Sequence, residues 1–305
     1  MRSLDAERAP LVSVLTPFLN QGRFVEDCIR SVAAQTYQPL EHVICDGGST
    51  DGTLAILRSA PGTVRWASEP DRGQSHALNK ALRLSRGEIV GWLNSDDAYL
   101  DRDAVSSVVE TFRLHPGVDV IYGHAALVNA DGLILQLLWS PRFSYRLLRF
   151  ENFIAQPAVF IRRRILGDAI VDESYDYAMD AELWLRLGRA HRFWRIDRVL
   201  AIDRHQADRK VYTRRDLAEA DERKLVIAYG VRPHVRRRLV RWAYRALARV
   251  LGLRLLPAAF GPHACDAKVD RLSALLLRQL LLPRRAMPLE SEPARDRSGQ
   301  TAPRG

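Results

Sequence analysis

The chain has 305 residues, 47% of them apolar, enough for a full hydrophobic core in one large or two small domains and too apolar for an unfolded charged polymer. Its formal charge of +10 is concentrated at one end: residues 1 to 208 carry 24 Lys+Arg against 27 Asp+Glu, giving −3, and residues 209 to 305 carry 22 against 9, giving +13. Cys28, Cys45 and Cys265 are odd in number and lack metal-ligand spacing, which argues against a disulfide framework or a zinc site and fits a reducing compartment.

Met1 to Arg8 has no apolar core of the kind a signal peptide needs, and no later segment approaches the length of a spanning helix. A cytoplasmic protein without a transmembrane anchor is the expectation. Leu11 to Leu15 is apolar and partly β-branched, ends at Thr16-Pro17, and gives way to an amphipathic stretch over 24–34, so a strand followed by a helix is predicted. The pattern repeats with His42 to Cys45, the turn Asp46 to Thr53, and a helix from Leu54. A third short strand is predicted over 64–67, a helix over 74–85 and a buried strand over 88–93. This alternation predicts an α/β fold with a mostly parallel central sheet and helices on both faces. Beyond it, strands are predicted over 118–122 and 133–138 around an Asp131-Gly132 turn, in a smaller mixed half, and a helix over 177–189.

Three strand ends in succession are polar and lead into helices. In an open parallel sheet they crowd one edge, which makes that edge a site. Asp46 to Thr53 fits neither the GxGxxG nor the GxxxxGK[ST] phosphate pattern, and taken alone it is equally a Gly-rich turn with a helix cap. Glu69 to Lys80 is a second polar loop of this kind. Asn94-Ser95-Asp96-Asp97 closes the apolar run Ile89 to Leu93 and puts hard oxygen ligands where a buried strand emerges, as a divalent cation on a diphosphate requires. Paired acids after a strand also serve as caps and turns.

With these motifs in order, the chain resembles the inverting family 2 glycosyltransferases of the GT-A fold, more narrowly the bacterial polysaccharide and O-antigen branch. The resemblance rests on Val12 to Pro17 with Asn20, Ser31 to Tyr37, the turn Asp46 to Thr53, Asp71 to Ser75 with Asn79-Lys80, and Gly91 to Asp97. It continues through Gln156-Pro157, Tyr175 to Leu187 and Arg204-His205, spanning roughly residues 11 to 206. It implies a nucleotide-sugar site at Pro17, Asn20, Asp46, Asp71, Asn79, Lys80, Asn94 and Ser95. It also implies a divalent metal, Mg2+ or Mn2+, held by Asp96 with support from Asp97 and His205, and Asp180 as the catalytic base. An inverting transfer needs such a base to take the acceptor hydroxyl's proton. On the residues alone, Asp180 is equally a helix N-terminal carboxylate, and Glu182 points elsewhere on a helix. Asn94 stands where the motif has its first acid, Gly47 where many relatives have a second acid after Asp46, Leu19 where an aromatic is common, and His76 where an acid is frequent.

The implied function is sugar transfer from a nucleotide donor to a glycan or lipid-linked acceptor in cell-surface polysaccharide biosynthesis. The rival is a non-catalytic sugar-nucleotide or nucleic-acid binding protein on the same fold. The domains expected are a catalytic domain over 1–208, a basic helical C-terminal extension over 209–285, and a disordered tail over 286–305. Within 232–256, Leu239, Trp242, Ala246 and Val250 form one stripe beside another of Arg238, Arg241, Arg245 and Arg249. Such a helix suits an anionic membrane surface, here the inner face of the cytoplasmic membrane, or packs on the catalytic domain; nucleic acid is the least favoured partner because no recognised motif accompanies the charge.

Overall fold

The computed structural model describes residues 8–130, 132–204 and 215–231. Strands β1 (Val12–Phe18), β2 (Leu40–Asp46), β3 (Val64–Ser68) and β4 (Ile89–Trp92) lie in the order β3-β2-β1-β4, all parallel. Helices α1 (Gly22–Ala33), α2 (Thr53–Arg58) and α3 (Gln74–Leu84) connect them. β1 and β4 are buried along their whole length, which is why they read as near-continuous apolar runs. α1 buries Phe24, Val25, Cys28, Ile29 and Val32, one stripe at helical spacing. Each large apolar side chain so buried contributes about 1.5–3 kcal/mol relative to exposure.

The second half comprises β5 (Ala98–Tyr99), α4 (Ala104–Leu114), β6 (Val120–Val128), β7 (Ile134–Leu138), α5 (Tyr145–Leu148), a 3-10 turn (Gln156–Ala158), β8 (Val159–Arg162), a second 3-10 turn (Arg163–Ile165), α6 (Met179–Gly188), β9 (Phe193–Arg204) and α7 (Arg215–Tyr229). The sheet continues β4-β8-β6-β9-β5, with β7 on β6. Its parallel character holds from β3 to β4 and gives way at β8, which is antiparallel to both β4 and β6. The second half is therefore mixed.

Helices cover both faces. Leu15, Val43 and Val90 pack with α3 and α6 on one side, while Val12, Val14 and Ile89 pack with α1 and α4 on the other, as the two-residue alternation of a strand requires. Because β8 reverses direction twice, β6 runs with β4, and β9 runs with β6. The carboxyl ends of β1, β2, β3, β4 and β9 thus open on one edge.

α7 falls within the stretch expected to be an extension, yet Leu225 and Val231 are buried in the same core as Leu183 and Trp184 of α6. Residues 215–231 thus pack on the core that α6 helps to form. His205, Asp131, the arginine stripe of 232–256 and the tail over 286–305 lie outside the described residues. No helix among the described residues is long and apolar enough to cross a membrane.

Candidate active site

The loops at the shared edge are laced together by their own polar groups. Asn20, a non-glycine residue at φ +50°, donates its backbone N–H to Ser49 Oγ at 2.7 Å and accepts the Thr50 N–H on Oδ1 at 2.8 Å. Asp51 accepts the Gly22 N–H at 2.9 Å, joining the second loop to the start of α1. Pro17 sits near the end of β1 opposite Cys45, past the last β4 residue that pairs with β1, so its missing N–H removes no ladder bond on that side.

Asp46 is 0% exposed, and its carboxylate is occupied: it accepts the Gly48 and Ser49 N–H groups at 3.2 and 3.0 Å, the Ser49 hydroxyl, and the Ser68 hydroxyl at 2.5 Å. It shapes the loop from within. Asn79 is likewise spent. It is 2% exposed, its Nδ2 donates to Val171 O and Glu173 Oε1, and its Oδ1 accepts the Ile170 and Val171 N–H groups at 3.0 and 3.1 Å. In this arrangement both side chains hold loops of the edge in place. Lys80 pairs with Glu69 at 3.0 Å. Asp71 accepts the Gly73 N–H at 2.8 Å. A Cβ placed on Gly47 would lie 2.6 Å from Asp71 Oδ2, so the missing second acid after Asp46 goes with an Asp71 carboxylate filling that space.

The loop after β4 is bound to its neighbours at each residue of its motif that carries a described contact. Asn94 Oδ1 accepts from Gln74 Nε2 and Trp92 Nε1, both at 2.9 Å, and Asn94 Nδ2 donates to Gln156 Oε1 at 2.8 Å. Gln156 Nε2 donates in turn to Trp92 O at 2.6 Å. The side-chain amide thus uses both its donor and its acceptor, which a carboxylate cannot do, and this accounts for asparagine at the motif's first position. Ser95 is buried and Asp96 half-buried. Asp97, 1% exposed, accepts the Arg204 N–H at 3.1 Å.

Arg204, at the end of β9, is the clamp on this loop. Its Nε donates to Asp96 O at 2.9 Å, its Nη2 reaches Asp27 Oδ2 at 3.2 Å, and its guanidinium lies over the Phe24 ring at 4.8 Å. The sequence pairs Arg204 with His205 but gives no hint of this grip. Burial pushes the nearby Cys28 thiol up, and Asp97, Asp96 and Asp27 add to that shift, so the three carboxylates lie within electrostatic range of one point on α1.

Asp180 stands in the first turn of α6, half-buried, and Asn152 Nδ2 donates to its Oδ2 at 3.0 Å. Burial raises its pKa above the usual carboxylate value, opposed by the Ala181 N–H and Asn152 and reinforced by Asp203 on β9. The segment before α6 rests on the first turn of α3, where Ser75 Oγ donates to Tyr175 O at 3.0 Å. The stretch from Asn152 to Gln156 therefore touches Asp180 at one end and Asn94 at the other. Glu182 faces away, bonded to Tyr229 and Arg186. Asn152 and Asp203 carry no motif signal, and Gln156 only the Gln-Pro pair.

Among the described residues, no three His, Cys, Asp or Glu groups stand close enough to hold a metal by themselves. Asp96 and Asp97 offer hard oxygen donors on one loop, a set that fits Mg2+ or Mn2+ when a diphosphate and water complete the coordination shell.

Over 203 residues the chain is 30% identical to a chondroitin synthase of Escherichia coli, covering 65% of this chain and 29% of the synthase. Over 197 residues it is 32% identical to a hyaluronan synthase of Pasteurella multocida, covering 63% and 20%. The chain thus spans less than a third of the length of these relatives. Its fold matches S. aureus TarS 1-349 in complex with UDP-GlcNAc, with TM-score 0.52, 21% identity and coverage of 64% and 58%. It also matches the mannosyltransferase PcManGT of Pyrobaculum calidifontis in complex with GDP-Man and Mn2+, with TM-score 0.56, 21% identity and coverage of 83% and 78%. This is the GT-A architecture that the motifs imply. The family model for glycosyl transferase family 2 matches residues 13–167, half of the chain, and the protein belongs to that family.

Proposed function

We propose that the protein transfers a sugar, with inversion, from a nucleotide-sugar donor to a hydroxyl of a glycan or lipid-linked acceptor in polysaccharide or glycoconjugate biosynthesis. The observation that carries this reading is the Asn152–Gln156 stretch, which bonds to both Asp180 and Asn94. It links a carboxylate suited to proton removal to the loop that would hold the leaving diphosphate. The complexes of TarS with UDP-GlcNAc and of PcManGT with GDP-Man and Mn2+ support a nucleotide-sugar donor.

In this reading Asp180 accepts the proton of the acceptor hydroxyl as that oxygen attacks the anomeric carbon opposite the diphosphate. Asn152 fixes the direction of its carboxylate, and burial raises its proton affinity. Asn20, Asp71 and Lys80 line the donor edge, while Asp46 and Asn79 hold its loops in shape. Asp96 and Asp97, with His205, would hold Mg2+ or Mn2+, which neutralises charge developing on the leaving group when bound. Incubation with a panel of UDP- and GDP-sugars is expected to release nucleoside diphosphate from at least one donor in a metal-dependent manner. Tight binding of a donor with no release from any would favour the non-catalytic reading.

The catalytic domain proposed spans 1–208 with residues 215–231 docked on it, and residues 232–256 are proposed to attach the enzyme to the anionic cytoplasmic leaflet where a lipid-linked acceptor lies. Each arginine near such a surface contributes about 1 kcal/mol, so Gln at positions 238, 241, 245 and 249 is expected to cost up to ~4 kcal/mol of attachment. Co-sedimentation with anionic vesicles checks this; equal binding by parent and variant would reject it.

A further inference from the structure

Helix α6 starts without a capping side chain of its own, because the residue at its N-cap is Ala178. The missing acceptor comes from α7. Asp221, 43 residues further on, places Oδ2 2.8 Å from the Tyr177 N–H and 3.1 Å from the Ala178 N–H. The residue is 2% exposed. A buried carboxylate is costly unless its oxygens are matched by donors, and here they are: Oδ1 accepts from Lys224 Nζ at 3.0 Å, and the same ammonium bonds Ser174 O. Against the opposing effect of burial, these donors keep the Asp221 carboxyl below its ordinary pKa. The two N–H groups it fixes lie two and three residues before Asp180. On its other side the same segment is tied to α3 through Ser75 and Tyr175.

We propose that Asp221 is a positioning residue for the base: by pinning the backbone of Tyr177 and Ala178, it sets the direction in which Asp180 leaves the first turn of α6. The proposal rests on the reading of Asp180 as the base. The loops after β1, β2 and β4, where the donor is proposed to lie, are held by bonds that do not involve α7, so donor affinity is expected to change little when this contact is lost. Misplacing a reacting group by about 1 Å can cost on the order of 10²-fold in rate. Loss of the contact therefore acts on turnover.

The test compares kcat and donor KM for Asp221→Ala, Asp221→Asn, Asp180→Asn and Val108→Ala, each measured below its melting midpoint. Val108 is buried on α4 among the α1-side core, so its truncation destabilises the fold without touching α6. Asp221→Ala is expected to lower kcat roughly 10- to 100-fold with donor KM within about twofold. Asp221→Asn, whose Oδ1 still accepts from both N–H groups, is expected to restore most of that loss, and Val108→Ala to leave kcat unchanged. Should Asp221→Ala fail to fold, Asp221→Ser, too short to reach, makes the same comparison with Asp221→Asn. Wild-type kcat in Asp221→Ala, or an equal loss in Asp221→Asn, would overturn the proposal. So would a kcat loss in Val108→Ala that tracks its stability. An inactive Asp180→Asn beside a fully active Asp221→Ala refutes the positioning role alone; a fully active Asp180→Asn refutes the base assignment itself.

Discussion

Asp96→Ala is expected to reduce transfer by roughly 10²- to 10³-fold or more, because the charge developing on the departing diphosphate would lose the cation that this carboxylate is proposed to hold. Asp96 is the half-buried acid of the loop, with its backbone oxygen held by Arg204, so the side chain can leave without unseating the backbone. Asp97 differs. Its buried carboxylate accepts the Arg204 N–H, and Asp97→Ala is expected to lose stability along with a smaller share of activity. Calorimetry with a nucleoside diphosphate in the presence and absence of Mg2+ or Mn2+ provides a second readout: the metal-dependent part of binding should vanish in Asp96→Ala. Full activity of that variant in excess chelator would remove the metal assignment.

Asp180→Asn is expected to lower turnover by roughly 10²-fold or more while leaving donor binding nearly unchanged, since a general base acts in the transition state and not on ground-state affinity. The pH dependence follows from the direction of its shift. Burial raises the Asp180 pKa, so the acid limb of the kcat profile should lie above the value of a free carboxylate and disappear in Asp180→Asn. The same shift has a sign for stability. A carboxyl with a folded-state pKa above its unfolded one favours the fold below the unfolded value and loses that contribution as pH rises through the folded one. At neutral pH the charged group is a burden, so Asp180→Asn should melt no lower than the parent. A large drop in its melting temperature, or lost donor binding with normal turnover per bound enzyme, would make Asp180 a structural or binding residue instead.

The parallel half was legible because β1 and β4 are buried along their whole length and β2 from His42 onward, each giving way to polar residues, and because α1 after β1 carries a clear apolar stripe. The mixed half was less so. β9 exposes Trp194 and leaves several of its residues half-buried, so its alternation is blurred, and its partner β6 lies far away in sequence. The antiparallel insertion of β8 depends on a long-range pairing that four residues, Val159 to Arg162, do not announce. At the site, residue type showed that a polar edge existed but not which way each group faces. An amide in a motif can turn to a ligand or to a backbone, and Asn79 turns to the backbone at 170–171. Asp221 was invisible for the same reason: within Asp216 to Lys224 it reads as one more charge on a polar helix, and only the fold brings it to α6.

Single displacement at the anomeric carbon is the central claim, and the configuration of the sugar first released tests it most directly. With a donor identified from the panel and water as acceptor, proton NMR in the first moments of hydrolysis, before mutarotation, should show the anomer opposite to that of the donor, formed by wild-type enzyme and lost with Asp180→Asn. Release of the sugar with the donor's own configuration retained would contradict the account, because it requires two displacements and a nucleophile where a base is assigned.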